Sequence, residues 1–447
     1  MSILKDDISV SPSNYLNGYF PARTSGNDGA FDWEVAKGIV VRNLYEKKLA
    51  KKLVVKEIDS PTYAGFQQVC REDFEMRLDE LELWDTLEEM YFSPDAFFDI
   101  APECLLFKIS NLTASSAKHR LGDLFSSLMQ DYSNDKPERM KRNFLEQQVV
   151  DSLRSASVLE EFIDSKFSKG INEKPFLPFL SESFQRDIKF LSNRPSYLIE
   201  NLEGLLKLYG YLYTAQLALN ISSLSEEPVA RPLYFIMENE TASIERTDLS
   251  RNGHKRVSSK LNLIYPYLSM AETLYDATEI GARLPLWELA SKLSQSDRGY
   301  LKSYAKEFAS QRNLELDVDE ENQEPLYWLA TLLKLAEMQF DKSGDRKAAL
   351  DRFTKSTEVE LCNTFVRARG RAGKILVMNQ DYLVLLTNLA IGEEQRLRFH
   401  ELLLQFKARG VFFDKKTQQA LIRFYERVGN VERMSDSGDA VYVRKTI

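Results

Sequence analysis

The run Asp414-Lys-Lys-Thr-Gln-Gln-Ala-Leu-Ile-Arg-Phe-Tyr-Glu-Arg-Val-Gly429 opens on a good N-cap and closes on a glycine stop, so it predicts one helix over residues 415–428. On a wheel of about 100° per residue with Thr417 at zero, Leu421, Phe424 and Val428 fall within about 40° of it. Lys415, Lys416, Gln419, Arg423 and Arg427 occupy the opposite arc. One face can pack. The other presents long cationic and amide side chains, the groups that reach phosphates and base edges in a major groove.

Working outward, residues 431–434 and 440–445 are β-prone runs flanking Ser435-Asp-Ser-Gly-Asp439, which reads as a hairpin. Upstream, 374–378 is a short apolar strand, and 381–390 is an apolar-rich helix that Gly392 can close. Residues 393–408 read as a second helix, with Leu397, His400, Leu404 and Phe406 as inner positions and Gly410 as its stop. Residues 411–413 are long enough only for a strand bridge. Helix, helix, capped helix and hairpin is the order of a winged helix–turn–helix over 374–447. Arg433, Arg444 and Lys445 would then sit on the wing, beside a backbone. The alternatives are a solvated polar face or a winged helix that docks protein.

Charge is distributed in keeping with this. The chain has 447 residues and a formal net charge of −8. Residues 352–447 hold 17 Lys+Arg against 11 Asp+Glu, net +6; residues 1–351 hold 42 against 56, net −14. A local field rather than the total decides the partner in such a chain. Arg367, Arg369, Arg371 and Lys374 immediately precede the tail and extend its positive surface. A second cluster, Arg246, Arg251, His254, Lys255, Arg256 and Lys260, reads as solvated or paired with carboxylates.

The rest of the sequence predicts helices. Low Gly (19) and Pro (14) content favours them over turn-rich β structure. Residues 1–30 carry turn chemistry with Tyr15, Tyr19 and Phe20 interleaved, and read as an arm lying on its own domain. Helices are expected over 31–53, with Lys47, Lys48, Lys51 and Lys52 in its last turns, and over 66–90, 118–132 and 138–167, with Pro61 able to start one. Residues 169–178 are a boundary. A strongly apolar, buried helix is expected over 195–220, then a short β-prone segment at 231–235, a polar loop at 238–260, and helices over 261–275, 285–292, 299–311 and 325–340. The acidic stretch 315–324 reads as a loop. The expected architecture is mainly α: an arm (1–30), N-terminal (31–175) and central (176–373) multi-helix domains, and a C-terminal winged helix–turn–helix (374–447).

No catalytic signature emerges. Cys70, Cys104 and Cys362 have no zinc-ligand spacing, and an odd, sparse count fits a reducing compartment. His119, His254 and His400 are far apart and read as surface or half-buried residues. Gly370-Arg-Ala-Gly373-Lys374-Ile375 fails as a phosphate loop: two residues separate the glycines where four are needed, and no hydroxyl follows the lysine. No cofactor or metal is expected. A nuclease built from scattered carboxylates stays open as an alternative. The start lacks a signal peptide and no apolar run approaches the ~20 residues of a span, so a cytoplasmic chain is expected.

The ending Leu421-Ile-Arg-Phe-Tyr-Glu-Arg-Val-Gly-Asn-Val-Glu-Arg433, followed by Ser435-Asp-Ser-Gly-Asp-Ala-Val-Tyr-Val443, together with the length and helical middle, resembles the DptG family of bacterial DNA phosphorothioation-dependent restriction proteins. The resemblance implies a non-enzymatic subunit of a three-component defence system, with DptF-like and DptH-like subunits as partners and double-stranded DNA as the target. It carries over no catalytic residues. A pure protein-interaction scaffold is the other expectation.

Overall fold

The computed structural model describes all residues except 1, 2, 6, 19, 26, 51–62, 76–81, 94, 95, 111, 114, 115, 133–141, 156, 163–169, 225, 243, 244, 342, 343 and 435–439. The described chain is mainly helical with a few small sheets. It divides into two compact units, one of residues 1–28, 171–183 and 207–447, the other of residues 29–170 and 184–206.

In the second unit, α1 (Trp33–Tyr45) starts on the Asp32 cap and ends where Glu46 turns left-handed. Lys47 and Lys48 therefore do not end a helix, as expected, but belong to β1 (Lys47–Leu49), antiparallel to β2 (Leu159–Glu161). Lys51, Lys52 and Pro61 lie outside the described residues. The expected 66–90 helix is two, α2 (Tyr63–Glu75) and α3 (Glu82–Tyr91). Next come α4 (His119–Leu128) and α5 (Phe144–Ser155); the expected 138–167 helix stops at Ser155, because residues 159–161 pair as β2, and its residues 138–141, 156 and 163–167 are outside the described residues. The core is aromatic, with Phe66, Trp84, Phe92 and Phe97 all buried. Gly38 of α1 faces the 3-10 helix Pro102–Ile109 closely: a Cβ there would stand 2.7 Å from the Leu105 carbonyl oxygen. Helices α6 (Pro178–Ser192) and α7 (Pro195–Asn220) have residues in both units.

In the first unit, residues 3–28 form no helix or strand where described; Phe20 is buried against Phe353 while Tyr15 is exposed, and Tyr19 is outside the described residues. The buried breadth of α7 matches its apolar sequence, with Leu208, Tyr209 and Leu212 fully covered. Strand β3 (Asn172–Glu173) pairs with β5 (Ala282–Arg283). Residues 238–260, expected to be loop, contain α8 (Thr247–Arg251) and α9 (His254–Ser258). They follow β4 (Tyr234–Met237) and precede α10 (Leu261–Leu274), α11 (Ala277–Ile280), α12 (Leu286–Ser291), α13 (Arg298–Arg312), α14 (Pro325–Met338) and α15 (Asp345–Thr357). Residues 315–324 form no helix or strand.

A four-stranded sheet draws the tail into this unit. Its order is β6 (Val366–Ala368), β7 (Lys374–Met378), β4, β9 (Phe412–Phe413). Strands β7 and β9 run parallel to β4, and Phe235 stands level with both Leu376 and Phe413. Apolar runs such as Phe235-Ile-Met237 and Ile375-Leu-Val-Met378 suit strands covered on both faces.

Candidate nucleic-acid interface

The tail continues from β7 into α16 (Gln380–Ile391), capped by the Asn379 side chain, which accepts from the Tyr382 N–H at 2.9 Å. Gly392, at φ +60°, ends it. The expected helix over 393–408 begins late. Residues Arg396–Arg398 form a strand, β8, and α17 (Phe399–Ala408) starts after it, with Glu401 accepting from the Arg398 N–H. Leu402 and Phe406 pack inward, whereas His400 is exposed and Leu404 is 57% exposed. Of the expected inner positions Phe406 is inside, Leu397 belongs to β8, and His400 and Leu404 face out, since the helix packs through Leu402 and Phe406.

Helix α18 (Lys415–Val428) has the predicted bounds. Asp414 accepts from the Thr417 N–H at 2.9 Å, and Gly429 closes the end at φ +78°. Thr417, Leu421, Phe424 and Tyr425 are buried, and the Tyr425 hydroxyl meets that of Thr387 at 2.7 Å. Val428, expected inside, is 44% exposed. Lys415, Lys416, Gln419, Arg423 and Arg427 are all exposed. Strands β10 (Val431–Met434) and β11 (Ala440–Arg444) pair antiparallel, and β11 also pairs with β8, giving the order β10-β11-β8. The hairpin's expected turn, Ser435 to Asp439, lies outside the described residues.

The start of α18 is held by Arg246. Its guanidinium grips Asp414 through Nε at 2.7 Å and Nη2 at 2.5 Å, and reaches Glu240 at 3.2 Å and the Thr417 hydroxyl at 2.5 Å. Burial alone would raise the Asp414 carboxyl, but the bonds from Arg246 and the Thr417 N–H bring it below its ordinary value. Burial likewise works to lower the Arg246 guanidinium, and Asp414 and Glu240 outweigh it and raise it. Of the second basic cluster, then, Arg246 is a buried clamp. His254 is buried as well and meets Glu358 at 3.3 Å, and His119 is buried, where surface or half-buried histidines were expected.

The remaining sequence candidates are scattered. Arg433 pairs with Glu426, and Arg444 with Glu432 at 3.1 Å. Lys445 donates to the Gly392 carbonyl at 3.0 Å, stapling the C-terminal strand to the end of α16. Arg367 donates to the Asn363 carbonyl, Arg369 to that of Glu238, and Lys374 pairs with Glu358 at 2.8 Å, while Arg371 is exposed. The turn holding Arg371 enters the sheet at the edge where β7 begins, whereas α18 leaves from the edge where β9 ends. Because β7 and β9 are parallel, these two basic groups arise at opposite ends of the strands. Sequence reading missed Arg396, Arg398 and Tyr442, which meet on one sheet face; the alternation Arg-Leu-Arg in 396–398 was the available signal.

Among the described residues, no group of His, Cys, Asp and Glu side chains could hold a metal ion, and no helix is long and apolar enough to cross a membrane. No protein-family model matches the chain, and no curated protein matches it either.

Proposed function

We propose that residues 374–447 form a winged helix–turn–helix whose α18 face binds double-stranded DNA, within a non-enzymatic subunit of a DNA restriction complex of the DptG kind. The observation that carries the DNA contact is the division of α18: four buried residues on one side, Lys415, Lys416, Gln419, Arg423 and Arg427 exposed on the other. The order β10-β11-β8 supports the winged-helix part, since the strand before the second helix pairs with the last strand of the hairpin. The restriction-complex part, with DptF-like and DptH-like partners, rests on the resemblance of residues 421–443.

Replacing Lys415, Lys416 and Arg423 together with Ala should weaken duplex binding and lower its salt slope by about one unit for each phosphate no longer neutralised. All three are exposed, so each should cost stability no more than about 0.5 kcal/mol. Duplex titrations at several salt concentrations decide it, and equal slopes for wild type and variant would remove α18 from DNA. A second reading, protein docking through the tail, is favoured by the exposure of Leu404 and Val428. Under it, Leu404→Ser would release partner subunits while duplex affinity stayed the same.

A further inference from the structure

The three-stranded sheet of the tail has one covered and one open face. On the covered side Val443 is fully buried. Register places Tyr442 opposite Arg398, Arg444 opposite Arg396, and Glu432 beside Tyr442. Side chains alternate along a strand, so Arg396, Arg398, Tyr442, Arg444 and Glu432 share the other side. There the Arg396 guanidinium lies 4.9 Å and that of Arg398 5.7 Å from the centre of the Tyr442 ring, and Arg398 Nε donates to the Tyr442 hydroxyl at 3.0 Å. Glu432 contacts both Arg396 and Arg444. Three guanidinium groups thus stand against Glu432 on the face and Glu401, which acts on Arg398 from the start of α17, and the aromatic ring fixes two of them. Arg444 also borders a cleft of about 530 Å³ that Gln395, Asn430, Lys445 and Thr446 help to line. That is within the size range of small-ligand sites, and its side chains offer amide, hydroxyl and cationic groups.

We propose that this sheet face, with the cleft at its end, binds single-stranded nucleic acid. Phosphates would pair with the guanidinium groups, bases would stack on the flat guanidinium and tyrosine planes, and one nucleotide would enter the cleft. Stacking of this kind accepts any base because every base has a π-face, and basic grooves interleaved with aromatics are how single strands are held. A duplex keeps its bases paired and turned inward, so it has no use for the stacking planes. An acidic peptide could answer the charge but not the ring. The Arg396, Arg398 and Tyr442 cluster is separate from Lys415, Lys416 and Arg423 of α18 and does not depend on the duplex reading, while the cleft borders the end of α18 at Val428 and Gly429.

The test is a fluorescence-anisotropy titration of the full chain with a labelled oligothymidylate of about 12 nucleotides, at low and moderate salt. Arg396→Gln with Arg398→Gln should weaken binding about tenfold and lower the salt slope by about 1.4, the share of two phosphates on a single strand. Tyr442→Phe should bind like wild type, and Tyr442→Ala should not; thermal melting shows that each variant is folded. The Lys415, Lys416 and Arg423 triple variant should keep oligothymidylate affinity while losing duplex affinity, so the two readings fail independently. The proposal is overturned if the wild type does not bind the oligomer, or if the double glutamine variant binds it unchanged. It is equally overturned if unlabelled duplex or polyglutamate competes as well as the oligomer itself.

Discussion

Arg246 shows how much one side chain can decide. Three parallel strands end near it, and the edge where such strands end is where open sheets hold ligands. Here the chain's own guanidinium fills that edge and ties Asp414, Glu240 and Thr417 together. Arg246→Ala strands two carboxylates in a half-buried setting and should cost about 3 kcal/mol, measured by urea unfolding. Asp414→Asn should cost less, because Asn also caps helices. Gly410 is a second such position. It sits at φ +83°, and a Cβ there would lie 2.6 Å from the Gln216 side-chain nitrogen. Gly410→Ala should cost about 2 kcal/mol, through both backbone strain and displacement of Gln216; an unchanged urea midpoint would contradict this. The buried and exposed faces of α18 were legible because amphipathic spacing is a local signal. Arg246 was not, since its partner Asp414 is 168 positions away.

At the level of elements, long helices were readable and short strands were not. Helices α7, α13 and α18 have enough turns for their apolar spacing to declare itself. Strands β1 and β8 have three residues each, too few for a period, so both were absorbed into neighbouring helices. Strand β4 was glimpsed as a β-prone segment, yet nothing nearby announced that its partners lie in the tail. That pairing has a consequence for truncation. A chain ending at Arg352 would lack β6, β7 and β9, leaving β4 with no neighbour and Phe235 and Ile236 uncovered. Such a chain should bind a hydrophobic dye and unfold with reduced cooperativity. A sharp, wild-type-like transition would mean that residues 207–352 stand without the tail.

At the level of the molecule, each unit carries a buried histidine, His119 in one and His254 in the other. Burial lowers both imidazoles below their ordinary value, in His254 against the opposing pull of Glu358. The folded chain therefore resists protons that the unfolded chain accepts near pH 6.5. This part of the stability is complete well above that pH and is lost as the pH falls through and below it. Melting temperature should drop from about pH 7.5 to about pH 5.5, and His254→Gln should flatten the decline; an equal decline in that variant would clear His254. The order of strands in the mixed sheet also sets a schedule for synthesis. Strand β4 leaves the ribosome well before its neighbours, β9 being the last to appear. At about 5–20 residues per second the interval to β9 is on the order of 10–35 s. Until β7 emerges both edges of this apolar strand stay open, and the edge that β9 fills stays open for the whole interval, so the nascent chain needs either a chaperone's cover or a temporary fold of its own until the tail arrives.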